Sequence, residues 1–355
     1  MPAYKDKNGK WYASFYATDW TGKRGRQFKR GFNTKREAQE YERKFLCRQT
    51  GDLGMTFGTF VDLYKEDLEG RLKEHTWVMK NHLLDKKILP YFKDKKMNEI
   101  KVSDVIAWQN TMMAHRDENG EPYSPVYLKT IHNQLSAVFN HAVRFYDLSS
   151  NPAAKAGNMG KEKAKEMLFW TKEEYLKFSE AIMDNPTAFY AFEILYWCGL
   201  RLGEMLALTI EDIDFEKQTL RINKSYQRIK GQDVITDPKT LKSNRTVQMP
   251  QFLCDEIQEY IKSIYGIGEK DRLFQVSKTA LHYTMRKGAK DAGVKKIRIH
   301  DLRHSHVSLL IDMGFSALAI ADRVGHESID ITYRYAHLFP TKQKEIAEKL
   351  DMERM

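Results

Sequence analysis

Cysteine is scarce: Cys47, Cys198 and Cys254 are the three in 355 residues, widely scattered and in no metal-ligand spacing, which excludes a disulfide framework. Long apolar runs are missing too. The longest, such as FYAFEILYWC at 189–198, are interrupted and fall far short of the ~18 residues of a membrane span. The opening MPAYKDKNGK lacks the apolar stretch of a secretory signal. No G-x-x-x-x-G-K-[ST] string offers a phosphate cradle for nucleotide hydrolysis, and no G-x-S-x-G string offers the commonest serine nucleophile. No internal repeat of 20–50 residues is present. The expectation is a cytoplasmic protein that meets no membrane.

What is present is enough apolar sequence (42%) for a core, in a length that suits two or three domains. Lys plus Arg number 58 against 48 acids, a net charge of +10, which favours a polyanionic partner. The excess is uneven: residues 1–50 hold thirteen Lys/Arg and five Asp/Glu, so +8 of the +10 sits in one-seventh of the chain. A merely soluble surface would spread it more evenly, and a nucleic-acid arm is the better reading.

Residues 1–52 read as a small sheet followed by a helix. Ala3 to Asp6, Lys10 to Thr18 and Arg26 to Phe32 are short aromatic or alternating runs, with turn chemistry at Asn8-Gly9 and Thr21-Gly22. Thr34 and Glu37 form a capping box for a helix whose Ala38, Tyr41, Phe45 and Leu46 would cover one sheet face. The other face would keep Arg24, Arg26, Lys29 and Arg30, with Trp20 near the turn, and a basic ribbon of that width suits the DNA major groove. Residues 55–149 read as four helices, at 56–68, 76–89, 103–115 and 124–146. The last carries Leu128, Ile131, Leu135, Val138, Phe139, Ala142 and Val143 on one stripe. Pro90, Pro122 and Pro125 are expected at or beyond helix ends, and Lys129, His132, Asn133 and Arg144 on polar faces that could touch phosphates. Residues 150–166 look like a linker. From 167 to 355 the pattern is mixed and mainly helical, with strands at 221–226, 234–236 and 245–249, and an amphipathic helix in 341–355.

Five clusters in the last third stand out: CGLRLGE at 198–204, opening a helix through Leu208; DPKTLKSNR at 237–245, a basic turn between strands; HDLRH at 300–304; VGH at 324–326; and TYRYAH at 332–337. Each alone is weak, and the carboxylate and thiolate neighbours that would make HDLRH a metal site are missing. Together they suit metal-free cleavage of a phosphodiester. Arginines neutralise the non-bridging oxygens, a phenol serves as nucleophile, and an acid and a base handle the two protons.

The series Arg201, Lys239, His300-x-x-Arg303, His326, Tyr335 resembles the active-site signature of tyrosine recombinases, the family of lambda-type phage integrases and the integrases of conjugative transposons. The string from Gly9 to Ala38 is similar to the arm-type DNA-binding domain of such proteins, and 55–149 is similar to their helical, SAM-like core-binding domain. The resemblance implies a multidomain α+β protein: a sheet-plus-helix arm domain at 1–52, a four-helix core-binding domain at 55–149, a linker at 150–166 and a mainly helical catalytic domain at 167–355. It implies a site-specific recombinase that integrates and excises a mobile element through a 3′-phosphotyrosine and a Holliday junction, with neither cofactor nor metal. Arg201 and Arg303 would grip the scissile phosphate, with Glu204 supporting Arg201. Lys239 would be the acid, His300 the base, His326 a hydrogen-bond donor to the phosphate and Tyr335 the nucleophile. Tyr333 and Lys242 compete with Tyr335 and Lys239; Tyr333 is expected to pack or cap, and Lys242 and Arg245 to contact DNA. Implied partners are double-stranded arm and core attachment sites, three further copies of the chain, an excisionase and a host DNA-bending protein. A type IB topoisomerase shares the chemistry, but relaxation has no use for an arm domain.

Overall fold

In the computed structural model, which describes residues 3–7, 9–18, 24–50, 53–159, 167–238, 241–333 and Tyr335, the alternating runs near the N-terminus become an antiparallel sheet. Its strands β1 (Ala3–Lys5), β2 (Trp11–Thr18) and β3 (Arg24–Phe32) lie in chain order. Successive side chains in a strand point to opposite faces, so Ala13, Phe15 and Ala17 turn together toward helix α1 (Lys35–Thr50), where Ala38 is buried and Tyr41 and Phe45 pack. The helix starts at a capping box displaced by one residue. The Glu37 N–H donates to Thr34 Oγ1 (3.2 Å), while the Glu37 carboxylate accepts from the Asn33 N–H (2.8 Å).

The same pleat sorts the cations. Directly paired residues share a face, and Tyr12 pairs with Arg30, Tyr16 with Arg26 and Thr18 with Arg24, whereas Lys29 pairs with Ala13. Arg24, Arg26 and Arg30 therefore occupy the open face. Lys29 does not: period two puts it on the helix side, a correction to its expected place. The open face is also aromatic. Tyr4 stacks on Tyr12 (5.4 Å between centroids), Tyr12 meets Phe28 (5.0 Å), and the Arg30 guanidinium lies 4.7 Å from the Phe28 ring centre. Trp20, the Thr21-Gly22 turn and the Leu46 side chain lie outside the described residues.

The helical segments follow as α2 (Phe57–Leu68), α3 (Glu74–Leu83), α4 (Leu89–Phe92), α5 (Val102–Ala114), α6 (Pro125–Phe145) and α7 (Pro152–Ala156). The α6 stripe joins Phe57, Phe60, Phe92 and Trp108 in one core, although Val143 is left exposed. Pro90 does not end its helix. A π turn at Leu84–Ile88, closed by the Leu89 N–H reaching back to the Leu84 carbonyl, lets the helical path run on through α4. Nor is 150–166 linker throughout. Asn151 caps α7, and Ala153 and Met159 are in the core; residues 160–166 lie outside the described ones.

The chain divides into two compact units, Met1–Ala164 and Lys165–Met355. The second begins where Thr171 and Glu174 form a capping box for α8 (Lys172–Ala181). It continues through α9 (Pro186–Trp197) and α10 (Leu202–Met205), which stops short of the expected Leu208. The expected strand at 221–226 breaks at Asn223-Lys224 into pieces of two different sheets. One holds β4 (Ile213–Asp214), β5 (Thr219–Ile222) and β8 (Arg245–Gln248); the other is the hairpin of β6 (Ser225–Ile229) and β7 (Gln232–Thr236). Helices α11 (Gln251–Ser263), α12 (Lys278–Asp291), α13 (Asp301–Asp312), α14 (Ala317–Val324) and α15 (Ile329–Tyr333) complete it. Trp170, Phe178, Phe192, Leu253, Phe274 and Leu302 share its main core. Among the described residues no helix is long and apolar enough to cross a membrane. The expected helix in 341–355 lies outside them.

Candidate active site

Arg201 stands at the N-cap of α10, so Glu204 is one turn ahead and can reach back. It accepts from the Arg201 backbone N–H (3.0 Å) and from Arg201 Nη1 (2.7 Å). The Glu204 Oε2 that takes the Arg201 N–H also accepts Arg245 Nη2, at 3.1 Å, from strand β8. Burial alone would raise the Glu204 carboxyl, but Arg245 and Arg201 outweigh it and hold it below the usual carboxylate value. Arg245, expected to contact DNA, is instead an internal group: its side chain is buried and its Nε donates to the Arg323 carbonyl (3.0 Å). The pairing spans 41 residues, so nothing local in the sequence announced it. Lys242, expected to contact DNA, is exposed, and Lys239 lies outside the described residues.

Arg303 enters from α13 and is buried. Its Nη1 donates to the Gly199 carbonyl (2.8 Å) and its Nη2 to the Val324 carbonyl. Burial, then the like charges of Arg201 and Arg245, lower its pKa to about 9, which still leaves a cation at neutral pH. The next residue, Gly325, closes α14 at φ +67°, and its carbonyl takes Arg201 Nη2 at 3.4 Å. A Cβ there would sit 2.8 Å from the Lys242 carbonyl oxygen and 2.9 Å from the Arg245 side chain, so the position excludes any side chain twice over. Residues 324–326 are thus where Arg201, Arg303 and the His326 ring come together.

His326 is buried, with Nδ1 at 2.8 Å from Thr332 Oγ1; burial and the neighbouring Arg303 and Arg201 push its pKa down to about 3. His300 precedes α13 and is exposed, and is also lowered, by desolvation first and Arg303 next. Tyr335 is only 2% exposed and packs with Val307, Ile311, Ile320 and Val324. Its hydroxyl is hydrogen-bonded to Nδ1 of His304. Tyr333, expected to pack or cap, is 53% exposed. Tyr333 is the more exposed of the two, and Tyr335 is the one in contact with a histidine and beside Arg303. His304 was not singled out from the sequence, although HDLRH places it one turn after His300.

Of the expected DNA contacts in the helical segment, His132 is corrected. It lies on the same stripe as Leu128, Ile131, Leu135 and Phe139, is buried, and its Nδ1 meets Gln109 Nε2 at 3.2 Å. Desolvation lowers its pKa, so it is a neutral core group. Asn133 is exposed and accepts from Asn158 Nδ2 (3.0 Å); Lys129 is half-buried.

Comparison with known proteins gives the family and the fold. The phage integrase family matches residues 161–342, its N-terminal SAM-like domain matches 56–113, and an arm DNA-binding domain matches 2–47. The ICEBs1 integrase of Bacillus subtilis is 32% identical over 90% of this chain and 90% of its own. A XerC-like tyrosine recombinase of Caldanaerobacter subterraneus is 25% identical over 97% of each. In fold, the chain is similar to the Tn1549 transposon integrase in complex with a circular intermediate DNA (TM-score 0.65, 20% identity, 83% of this chain and 99% of that one). It is also similar to lambda integrase in a tetramer bound to a Holliday junction (TM-score 0.57, 19% identity, 92% and 96%). The chain belongs to the phage integrase family. Within that class it is a tyrosine-type site-specific DNA recombinase, an integrase.

Proposed function

We propose that Arg201, Arg303, His326 and Tyr335, with Lys239, cut and rejoin DNA at the attachment sites of a mobile element. The observation that carries this reading is a surplus of cation at the site, with Arg303 flanked by Arg201, Arg245 and the Tyr335 phenol. Arg201, Arg245 and Arg303 crowd together, Glu204 is shared by the first two, and Arg303 donates to carbonyls only in the bonds described above. Such a site attracts an anion whose charge is spread over non-bridging oxygens, as in a pentacovalent phosphorane. Tyr335 Oη would attack the phosphorus, the P–O5′ bond would break, and Lys239 would protonate the departing 5′ oxygen. The family resemblance implies His300 as the acceptor of the phenol proton. The bond energy stays in the 3′-phosphotyrosine and returns when a 5′ hydroxyl of the partner duplex attacks.

The arm domain at 1–52 would hold arm-type sites, and the segments at 55–149 and 167–355 the core site. Four protomers would exchange strands through a Holliday junction, as the lambda integrase assembly supports. An excisionase and a host DNA-bending protein are the further partners of this reading. A nicked core-site duplex, from which the cleaved fragment escapes, should trap a covalent protein–DNA adduct. Tyr335→Phe should abolish it completely; an adduct that persists in that variant refutes the nucleophile assignment.

A further inference from the structure

We infer that His304, rather than His300, is the base that removes the phenolic proton of Tyr335. The inference rests on the recombinase reading and reassigns one role within it. A phenol with an ordinary pKa of about 10 needs a proton acceptor within hydrogen-bond reach. His304 Nδ1 is bonded to the Tyr335 hydroxyl, whereas the His300 ring meets the His304 ring, 5.2 Å between centroids. The far nitrogen, His304 Nε2, faces Asp301 Oδ1 at 3.8 Å, and Asp301 is buried and clamped by Arg298 Nη2 (2.7 Å). An imidazole that accepts at Nδ1 carries its proton on Nε2, toward that carboxylate. Carboxylate, imidazole and hydroxyl thus stand in line, the carboxylate at ion-pair rather than hydrogen-bond distance from the ring. Other charged or titratable neighbours are His300, Arg298, Arg303 and His326.

The step balances. The Oη–P bond forms and the P–O5′ bond breaks; the phenolic proton passes to Nδ1, and the 5′ oxygen takes a proton from the acid. The imidazolium left behind faces Asp301. On rejoining, His304 returns the proton to the departing phenolate.

The test uses the full chain on a nicked duplex spanning the joined ends of the element. His304→Ala should slow single-turnover cleavage by ~10²–10⁴-fold. Its rate should climb about tenfold per pH unit between pH 7 and 9, because hydroxide replaces the base, while the wild type stays level. Added imidazole should restore part of the rate. Sulfur in place of the bridging 5′ oxygen should not, because it relieves only the need for an acid. His304→Asn keeps a polar atom for the hydroxyl, and should bind DNA normally yet cleave slowly. Cleavage by His304→Ala within about threefold of wild type overturns the inference. So does a slow variant with a level pH profile and no imidazole rescue, or the same pH dependence arising in His300→Ala instead. A wild-type chain that gives no adduct, or a Tyr335→Phe adduct, overturns the recombinase reading as well; a normal Tyr335 adduct with His304→Ala unaffected overturns this assignment alone.

Discussion

Arginine is used in two opposite ways along this chain. On the N-terminal sheet, Arg24, Arg26 and Arg30 sit in water on an aromatic face, where each charge is screened and adds little to folding. In the C-terminal unit, Arg245 and Arg303 are buried and Arg201 half-buried, wired to Glu204 and to carbonyls from distant segments. The first arrangement is available to a polyanion and can be diluted one residue at a time. The second is part of the fold itself, so its charge cannot be changed without disturbing the unit. Position relative to water, more than residue type, separates adhesion from chemistry.

The sharpest way to break this contrast is Glu204→Gln. Removing one partner from a buried charged cluster costs about 3–5 kcal/mol, so the unfolding transition of the C-terminal unit should move down strongly in calorimetry. The transition of the N-terminal sheet should stay where it is. Equal shifts in both would deny the contrast.

Acid should separate the two units next. His304, His306 and His326 have pKa values lowered to about 4, 3 and 3 by burial and nearby cations, against 6.5 for a free imidazole. Below pH 6.5 the unfolded chain binds protons that the fold refuses. The stability that these neutral rings contribute is therefore complete above pH 6.5 and is lost as pH falls toward 4 to 3. In the first unit His132 shifts in the same direction by desolvation alone. Thermal melts stepped from pH 7 to 4.5 should show the C-terminal transition falling faster.

The smallest effect belongs to the open sheet face. Arg30→Ala should weaken binding to arm-site DNA modestly, with the slope of log affinity against log salt shallower by about one. Lys29→Ala should do less, and cleavage of a core-site duplex should be unchanged in both. Filter-binding at several salt concentrations reads the first two, and adduct yield the third.

Much of this was legible in the sequence. Motif spacing selected Arg201, Arg303, His326 and Tyr335, and the structure brings the elements that carry them into one unit. Two departures are legible in the sequence pattern. Lys29 is an odd step from Arg30 in a strand, and His132 is four residues past Leu128 and three before Leu135, on the core stripe. Others were not legible. The Arg245–Glu204 pair joins a strand to a helix start 41 residues away, and the His304–Tyr335 bond spans 31, which no periodic pattern encodes. The π turn before Pro90 was hidden for the opposite reason: proline reads locally as a stop, and only the packing of Ile88 and Phe92 into the core keeps the helical path going.

The apolar seat of Tyr335 has a chemical consequence. A phenol walled by Val307, Ile311, Ile320 and Val324 is hidden from small electrophiles as well as from solvent. Nitrating or iodinating reagents should mark fully exposed Tyr265 and half-exposed Tyr333 long before they reach Tyr335.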